Sequence, residues 1–143
     1  MKIPCELIVW YVLPMIRREV SKELVYVHGM SQAEVARRFG VTDATISQYL
    51  KKKRGGNPQI EDDPLFDVFS SEIKESALRI AEDSADFSVE MCRLCGVVKR
   101  IGLLDRIYQI QTGAPAPRCV CTPVDELSSD ERFSSITSVH PCP

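Results

Sequence analysis

Between Pro4 and His28, apolar residues recur at intervals of three and four: Val9, Leu13, Ile16, Val20, Leu24 and Val27. That spacing predicts one long helix with a single buried face. Pro14 lacks the amide that would continue the ladder, so the helix is expected to kink or divide there. Gly29 is expected to close it, since glycine tolerates the left-handed conformation that ends helices. "SQAE", Ser31 to Glu34, then reads as a capping box, in which the serine accepts from the N3 amide and the glutamate reaches back to the cap. A short helix to about Phe39, a tight "GVT" turn, and a helix capped by Thr42 and running to about Lys53 follow.

"RGGNP", Arg54 to Pro58, and the acidic "EDDP" up to Pro64 interrupt this pattern and read as a linker. Helical spacing resumes at Phe66, Phe69, Ile73, Ala77 and Ile80, and a further helical stretch is expected from Ser88 to about Gln111, with Gly96 or Gly102 as its break point. "TGAPAPRCVCTP" holds three prolines and a glycine in twelve residues, which breaks both helix and strand. The tail from Asp125, rich in serine and charge, reads as loosely ordered apart from a contact near Phe133 and Ile136. No strand pattern or internal repeat is visible. The expectation is an all-α protein with a helix-turn-helix domain over residues 1–57 and a small helical domain with a cysteine-rich loop over residues 64–143.

Charge sharpens that division. Residues 1–57 carry ten Lys/Arg against five Asp/Glu, whereas residues 58–143 carry eight against fifteen, so a net charge of -2 conceals +5 joined to -7. A basic half tied to an acidic half suggests a polyanion-binding module attached to something that does not touch the polyanion. Apolar content of 44% and charged content of 27% are those of a soluble globular protein. No apolar run approaches the roughly 18 residues of a membrane span. The stretch Leu7 to Leu13 ends at Pro14 and Arg17-Arg18 without a small-residue cleavage site, so it is not read as a signal peptide. These features point to the cytoplasm, a reducing compartment.

The densest motif is "SQAEVARRFGVTDATISQYLKKKRGG". A helix-turn-helix needs a small residue where its helices cross, a glycine in the turn and a branched apolar residue anchoring the second helix. Ala36, Gly40 and Ile46 supply these, with Val35, Phe39, Val41, Tyr49 and Leu50 completing a core. On the second helix Asp43, Ala44, Ser47 and Gln48 face away from that core. Gln48 is suited to reading adenine in a bidentate way, Ser47 is less selective, and Thr45 is placed to meet a base or a thymine methyl. Lys51, Lys52, Lys53 and Arg54 add sequence-independent phosphate attraction. The simpler alternative is a three-helix packing unit with a solvated basic end.

Over about residues 20–54 this motif resembles the helix-turn-helix of the lambda-repressor-like, or XRE, family of transcription regulators. The resemblance implies that the helix from Thr42 lies in the major groove and that Gln32, at the start of the preceding helix, contacts phosphate. With "IPCELIVWYVLPMIRRE" ahead of the motif and "CRLCG" and "CVC" behind it, the chain is similar to a group of archaeal regulators that carry a cysteine-containing C-terminal part.

Six cysteines are present, and clustered thiols in a reducing compartment point to metal or redox chemistry rather than disulfides. Cys92 and Cys95 are followed, after 23 residues, by Cys119 and Cys121. Two such pairs brought together can hold an iron-sulfur cluster, of the two-iron or four-iron type, or one zinc ion. Arg93, Lys99, Arg100 and Arg118 lie close enough in sequence to offset four thiolates. Gly96 fits a zinc knuckle, but the flanks look helical, the knuckle's proline is absent and the second pair has only one intervening residue. The cluster is therefore the first expectation and zinc the second, with a thiol switch or plain apolar burial as the remaining readings. Cys5 reads as a small buried residue, Cys142 as part of a frayed terminus, and His28 and His140 as cap or surface residues.

No nucleophile-base pairing, phosphate loop or carboxylate cluster suggests catalysis, and no small-molecule substrate is implied. The expected protein is a homodimeric transcription regulator on double-stranded DNA whose iron-sulfur centre senses a redox or metabolite signal. Its rivals are a zinc-stapled adaptor or assembly module and a thiol redox enzyme, the latter disfavoured because no strand-helix thioredoxin pattern surrounds the Cys-x2-Cys pair.

Overall fold

The structure, a computed structural model, describes residues 3–51 and 56–117 of the chain. Every regular element among these residues is helical, so the fold is all-α. The N-terminal stretch is helical throughout but not uniform. α1 (Pro4–Leu7) and α2 (Leu13–Lys22) are joined by a π turn over Ile8–Val12, and a second π turn over Glu23–Val27 follows α2. In these turns the amide bonds five residues back, from Leu13 to the Ile8 carbonyl and from His28 to the Glu23 carbonyl. Each turn therefore holds one residue more than an α-helical turn, and the helical phase slips.

The slip corrects the predicted buried stripe at its two ends. Val12, Met15, Ile16, Val20 and Leu24 are buried, but Val9 and Val27, one in each π turn, are 58% and 66% exposed. Leu7 and Ile8 take the core positions that the regular spacing assigned elsewhere. Pro14 stands in the first turn of α2, directly after the first π turn, where a missing amide is tolerated. The expected division at Pro14 is thus realised as a change of helix type.

After Gly29, α3 (Gln32–Phe39) and α4 (Asp43–Leu50) form the helix-turn-helix. A four-residue helix, α5 (Pro58–Glu61), occupies part of the segment read as a linker. The Asn57 side chain caps it and Ile60 inserts into the core. α6 (Pro64–Ala81), α7 (Phe87–Arg100) and α8 (Leu103–Thr112) complete the described chain. The break in the second helical stretch falls at Gly102, whose φ of +83° ends α7, while Gly96 lies inside α7.

One cluster of buried apolar residues runs from Leu7 to Tyr108. α2 is its hub, packing against α4, α6 and α7, and α8 closes against α1 and α7. Residues on both sides of the 58–63 segment contribute to this core. The described residues on either side, fewer than about 60 each, would make a thin core alone, and sharing one is the physical remedy.

Two charged groups are drawn into it. Arg18 is 1% exposed, with Nη1 2.6 Å from Glu19 and 2.8 Å from Glu61. Glu61 of "EDDP", expected to be solvated, is therefore the counter-charge that α5 delivers to the interior. Asp63 of the same run caps α6 by accepting from the Leu65 amide at 2.9 Å. Between α6 and α7, Glu90 accepts hydrogen bonds from Ser76, from Arg79 and from Arg93. Burial pushes the Glu90 carboxyl up, but the bonds from Arg79, Ser76 and Arg93 outweigh it and hold its pKa at about 2.

Candidate nucleic-acid interface

The helix-turn-helix is built by short-range chemistry at each joint. Ser31 is extended and its Oγ accepts from the Glu34 amide at 3.1 Å, which starts α3. The second half of the expected capping box is not formed. Instead the Glu34 carboxylate is held by Arg37 and Arg38, at 2.5 and 3.0 Å, and these hydrogen bonds lower the Glu34 pKa. Gly40, with φ +67°, ends α3 in the left-handed region, and the Val41 amide bonds back to the Ala36 carbonyl at 3.0 Å. This closes the tight turn that the "GVT" triplet predicts.

Thr42 then caps α4, its Oγ1 accepting from the Thr45 amide at 3.3 Å and lying 2.9 Å from the Thr45 hydroxyl. Thr42 and Thr45, both counted as DNA-contacting candidates, thus also bond to each other. Ile46 and Tyr49 are buried and anchor α4, and Val35, Ala36 and Phe39 bury the matching face of α3.

The opposite face of α4 is open. Asp43, Ala44, Ser47, Gln48 and Lys51 recur at one, four, five and eight residues from the first, which places them on one side of a helix. Asp43, Ala44 and Lys51 are exposed, and Ser47 and Gln48 are half-buried. No hydrogen bond within the described residues occupies the side chain of Ser47, Gln48 or Gln32. Gln32 is exposed at the first position of α3. Asp43 lies in the first turn of α4, where the helix dipole favours a carboxylate. Lys52, Lys53 and Arg54 lie outside the described residues.

The basic residues of α3 behave differently from one another. Arg37 is exposed and, among the described residues, paired only with Glu34. Arg38 turns inward, donating through Nη1 to the Ile80 carbonyl at 2.8 Å and pairing with Asp83 at 2.6 Å. Neither this inward turn nor the burial of Arg18 and Glu90 is signalled by the sequence, because each has a partner far along the chain: Glu61 for Arg18, Ile80 for Arg38 and Arg79 for Glu90, 43, 42 and 11 residues away.

Cys92 and Cys95 lie inside α7, so the helical flanks expected for them are present. Cys92 is exposed and Cys95 is 6% exposed, packed in the core. Burial pushes the Cys95 thiol up, against the pull of the Lys99 charge. Cys92 and Cys95 thus differ in access, one at the surface and one in the core. No group of three His, Cys, Asp or Glu side chains is arranged to hold a metal ion among the described residues. Cys119, Cys121, Cys142 and His140 lie outside them. His28 caps the second π turn, as its reading as a cap residue anticipates, and no described helix is long and apolar enough to cross a membrane.

Residues 25–55 match the family described as the CENP-B N-terminal DNA-binding domain. The matched stretch begins within the second π turn and takes in all of α3 and α4. No curated protein and no solved structure matches the chain. The similarity and the geometry agree on a helix-turn-helix over the same residues.

Proposed function

We propose that the chain is a sequence-specific DNA-binding transcription regulator that reads double-stranded DNA with the open face of α4. The observation that carries this reading is the contrast across α4. Ile46 and Tyr49 lock one face, while Ser47 and Gln48 on the other have no side-chain hydrogen bond among the described residues. Polar groups held on a rigid helix and left unpaired are what base-edge recognition in a major groove needs. The family matched at residues 25–55 is by description a DNA-binding domain, which supports the same conclusion.

The finer parts of the reading follow from the resemblance to lambda-repressor-like regulators. α4 would enter the major groove, Gln32 would meet phosphate, and Lys51 with Lys52, Lys53 and Arg54 would supply non-specific attraction. Homodimerisation on a palindromic site is part of the proposal, because one module of this size contacts too little DNA for tight specific binding. A centre on Cys92, Cys95, Cys119 and Cys121, iron-sulfur first and zinc second, is a separate proposal resting on their spacing. It requires Cys95, buried in the core, to become accessible to the bound group. Anaerobically purified protein that is brown and carries iron and sulfide supports the cluster, colourless protein with one zinc per chain supports zinc, and metal-free protein removes both.

The test of DNA reading is selection of bound duplexes from a random pool, followed by footprinting. The double change Ser47→Ala and Gln48→Ala is expected to abolish selectivity while non-specific binding and its steep salt dependence persist. Unchanged selectivity would overturn the assignment of α4.

A further inference from the structure

Two contacts outside the second π turn bear on where the recognition helix points. The buried face of α4 packs on α2. The second support is at the other end of the unit. α3 ends in Arg38 and Phe39, and both grip the turn between α6 and α7. The Phe39 ring stacks on Phe87, the first residue of α7, with centroids 3.7 Å apart and planes 15° from parallel. Arg38 holds three points at once: Glu34 on its own helix, the Ile80 carbonyl near the end of α6, and the Asp83 carboxylate just beyond it.

This arrangement is built rather than incidental. The Ile80 carbonyl, which also accepts from the Asp83 amide at 3.1 Å, lies at the negative end of the α6 dipole, so a guanidinium there is favourable. The donor comes from another helix, 42 residues away in sequence. Asp83 has φ +56° and is the one non-glycine residue at positive φ among the described residues. A glycine would take that backbone more easily. What aspartate adds is the carboxylate that reaches Arg38.

We infer that Arg38 and Asp83 are positioning residues for DNA reading: they clamp the C-terminal end of α3 to the α6–α7 turn and thereby set the tilt of α4, without touching DNA themselves. The inference rests on the proposal that α4 reads DNA. It gives a basic residue inside the DNA-binding motif a role other than phosphate contact. It also gives an acidic residue outside the motif a part in affinity that simple electrostatics would assign the opposite sign. Through Phe87, the same clamp connects the tilt of α4 to α7, the helix that carries Cys92 and Cys95.

The experiment uses the full chain, the duplex enriched by selection, and a scrambled duplex of equal length, each titrated over a range of salt concentrations. Asp83→Asn keeps a residue that tolerates the left-handed backbone and removes one negative charge. It is expected to weaken binding to the selected duplex roughly three- to ten-fold, to leave or slightly strengthen binding to the scrambled one, and to leave the salt slope unchanged. Arg38→Lys keeps the charge but not the fork and is expected to show the same selective loss. Far-UV circular dichroism and melting curves establish that each variant is folded.

Two results overturn the clamp. One is Asp83→Asn strengthening both duplexes alike, as removal of a repulsive charge would. The other is Arg38→Lys binding like the wild type while Arg38→Met weakens both duplexes equally and lowers the salt slope by about one charge, the signature of a phosphate contact. If Ser47→Ala with Gln48→Ala leaves selectivity intact, the reading of α4 fails and the clamp falls with it. If that double variant loses selectivity while the Asp83 and Arg38 variants do not, the clamp alone fails.

Discussion

On α4, Ser47 and Gln48 have no side-chain partner among the described residues, whereas between α6 and α7 the Glu90 carboxylate is saturated by Ser76, Arg79 and Arg93 and withdrawn from water. Both regions are rich in polar side chains, and their chemistry points opposite ways. A buried polar group must be paired, since an unsatisfied one loses its hydration with nothing in return. A surface polar group meant for a partner must be left unpaired, because an internal bond would have to break first. At these two sites, therefore, polarity alone does not distinguish structure from function; the presence or absence of an internal partner among the described residues does.

Substitutions can break this contrast, and their effects on stability are expected to fall in a definite order. Glu90→Ala leaves Arg79 and Arg93 facing a buried gap, at a cost of about 3 kcal/mol, measurable by urea denaturation, with DNA selectivity retained if the protein is folded. Glu90 also makes an acid-sensitive contribution. Its folded pKa of about 2 lies below its ordinary value of 4.5, so the stabilisation is complete above about pH 5 and is lost as the pH falls through 4.5 toward 2. Glu90→Gln should flatten that part of the stability-pH curve, and an unchanged curve would show that the network is not formed in solution.

Gly40→Ala places a side chain at φ +67° and should cost about 1 kcal/mol. Thr42→Val removes the cap of α4 at a similar cost of about 1 kcal/mol. Both are changes to the joints of the helix-turn-helix and should lower its melting temperature together with its DNA affinity. Ser47→Ala with Gln48→Ala stands at the far end, within about 0.5 kcal/mol of wild-type stability, yet it should cost the largest share of sequence discrimination, about 1 to 3 kcal/mol for the bidentate contact. The ranking for stability is thus the reverse of the ranking for selectivity, and a single variant high on both scales would blur the distinction. The cysteines offer a further, chemical contrast: in the native state Cys92 should react promptly with a maleimide and Cys95 only on unfolding, as followed by mass spectrometry.

How much of this was legible in the sequence depends on the range of the interactions involved. The helix-turn-helix was readable because its determinants are local. Ser31, Gly40, Thr42 and Ile46 each act within a few residues, and the spacing among them is itself the signal. The break at Gly29 was readable for the same reason, and the next was narrowed to Gly96 or Gly102, of which the fold uses Gly102. The π turns were not, since nothing in the residue types around Ile8–Val12 or Glu23–Val27 announces five-residue bonding, and the assignment of Val9 and Val27 to the core failed there. The acidic run "EDDP" resembled solvated linker because its partners, Arg18 for Glu61 and the α6 amide for Asp63, become visible only when the chain is folded. Glu34 fitted a capping box by position, but Arg37 and Arg38, three and four residues on, compete better for its carboxylate. The inward turn of Arg38 was hidden by the same limit, because its partners belong to the end of α6.

The second π turn bears on how this chain tolerates changes in length. It holds a spare residue just ahead of α3, so a one-residue deletion within Glu23–Val27 can be absorbed by closing the turn into an ordinary α-helix. The helix would survive the deletion, but its exit would be rotated, and His28, Gly29 and Met30 would deliver α3 to the core from a new direction. Length variation at this point would therefore act as an aiming adjustment for α4 and leave the binding surface itself unaltered.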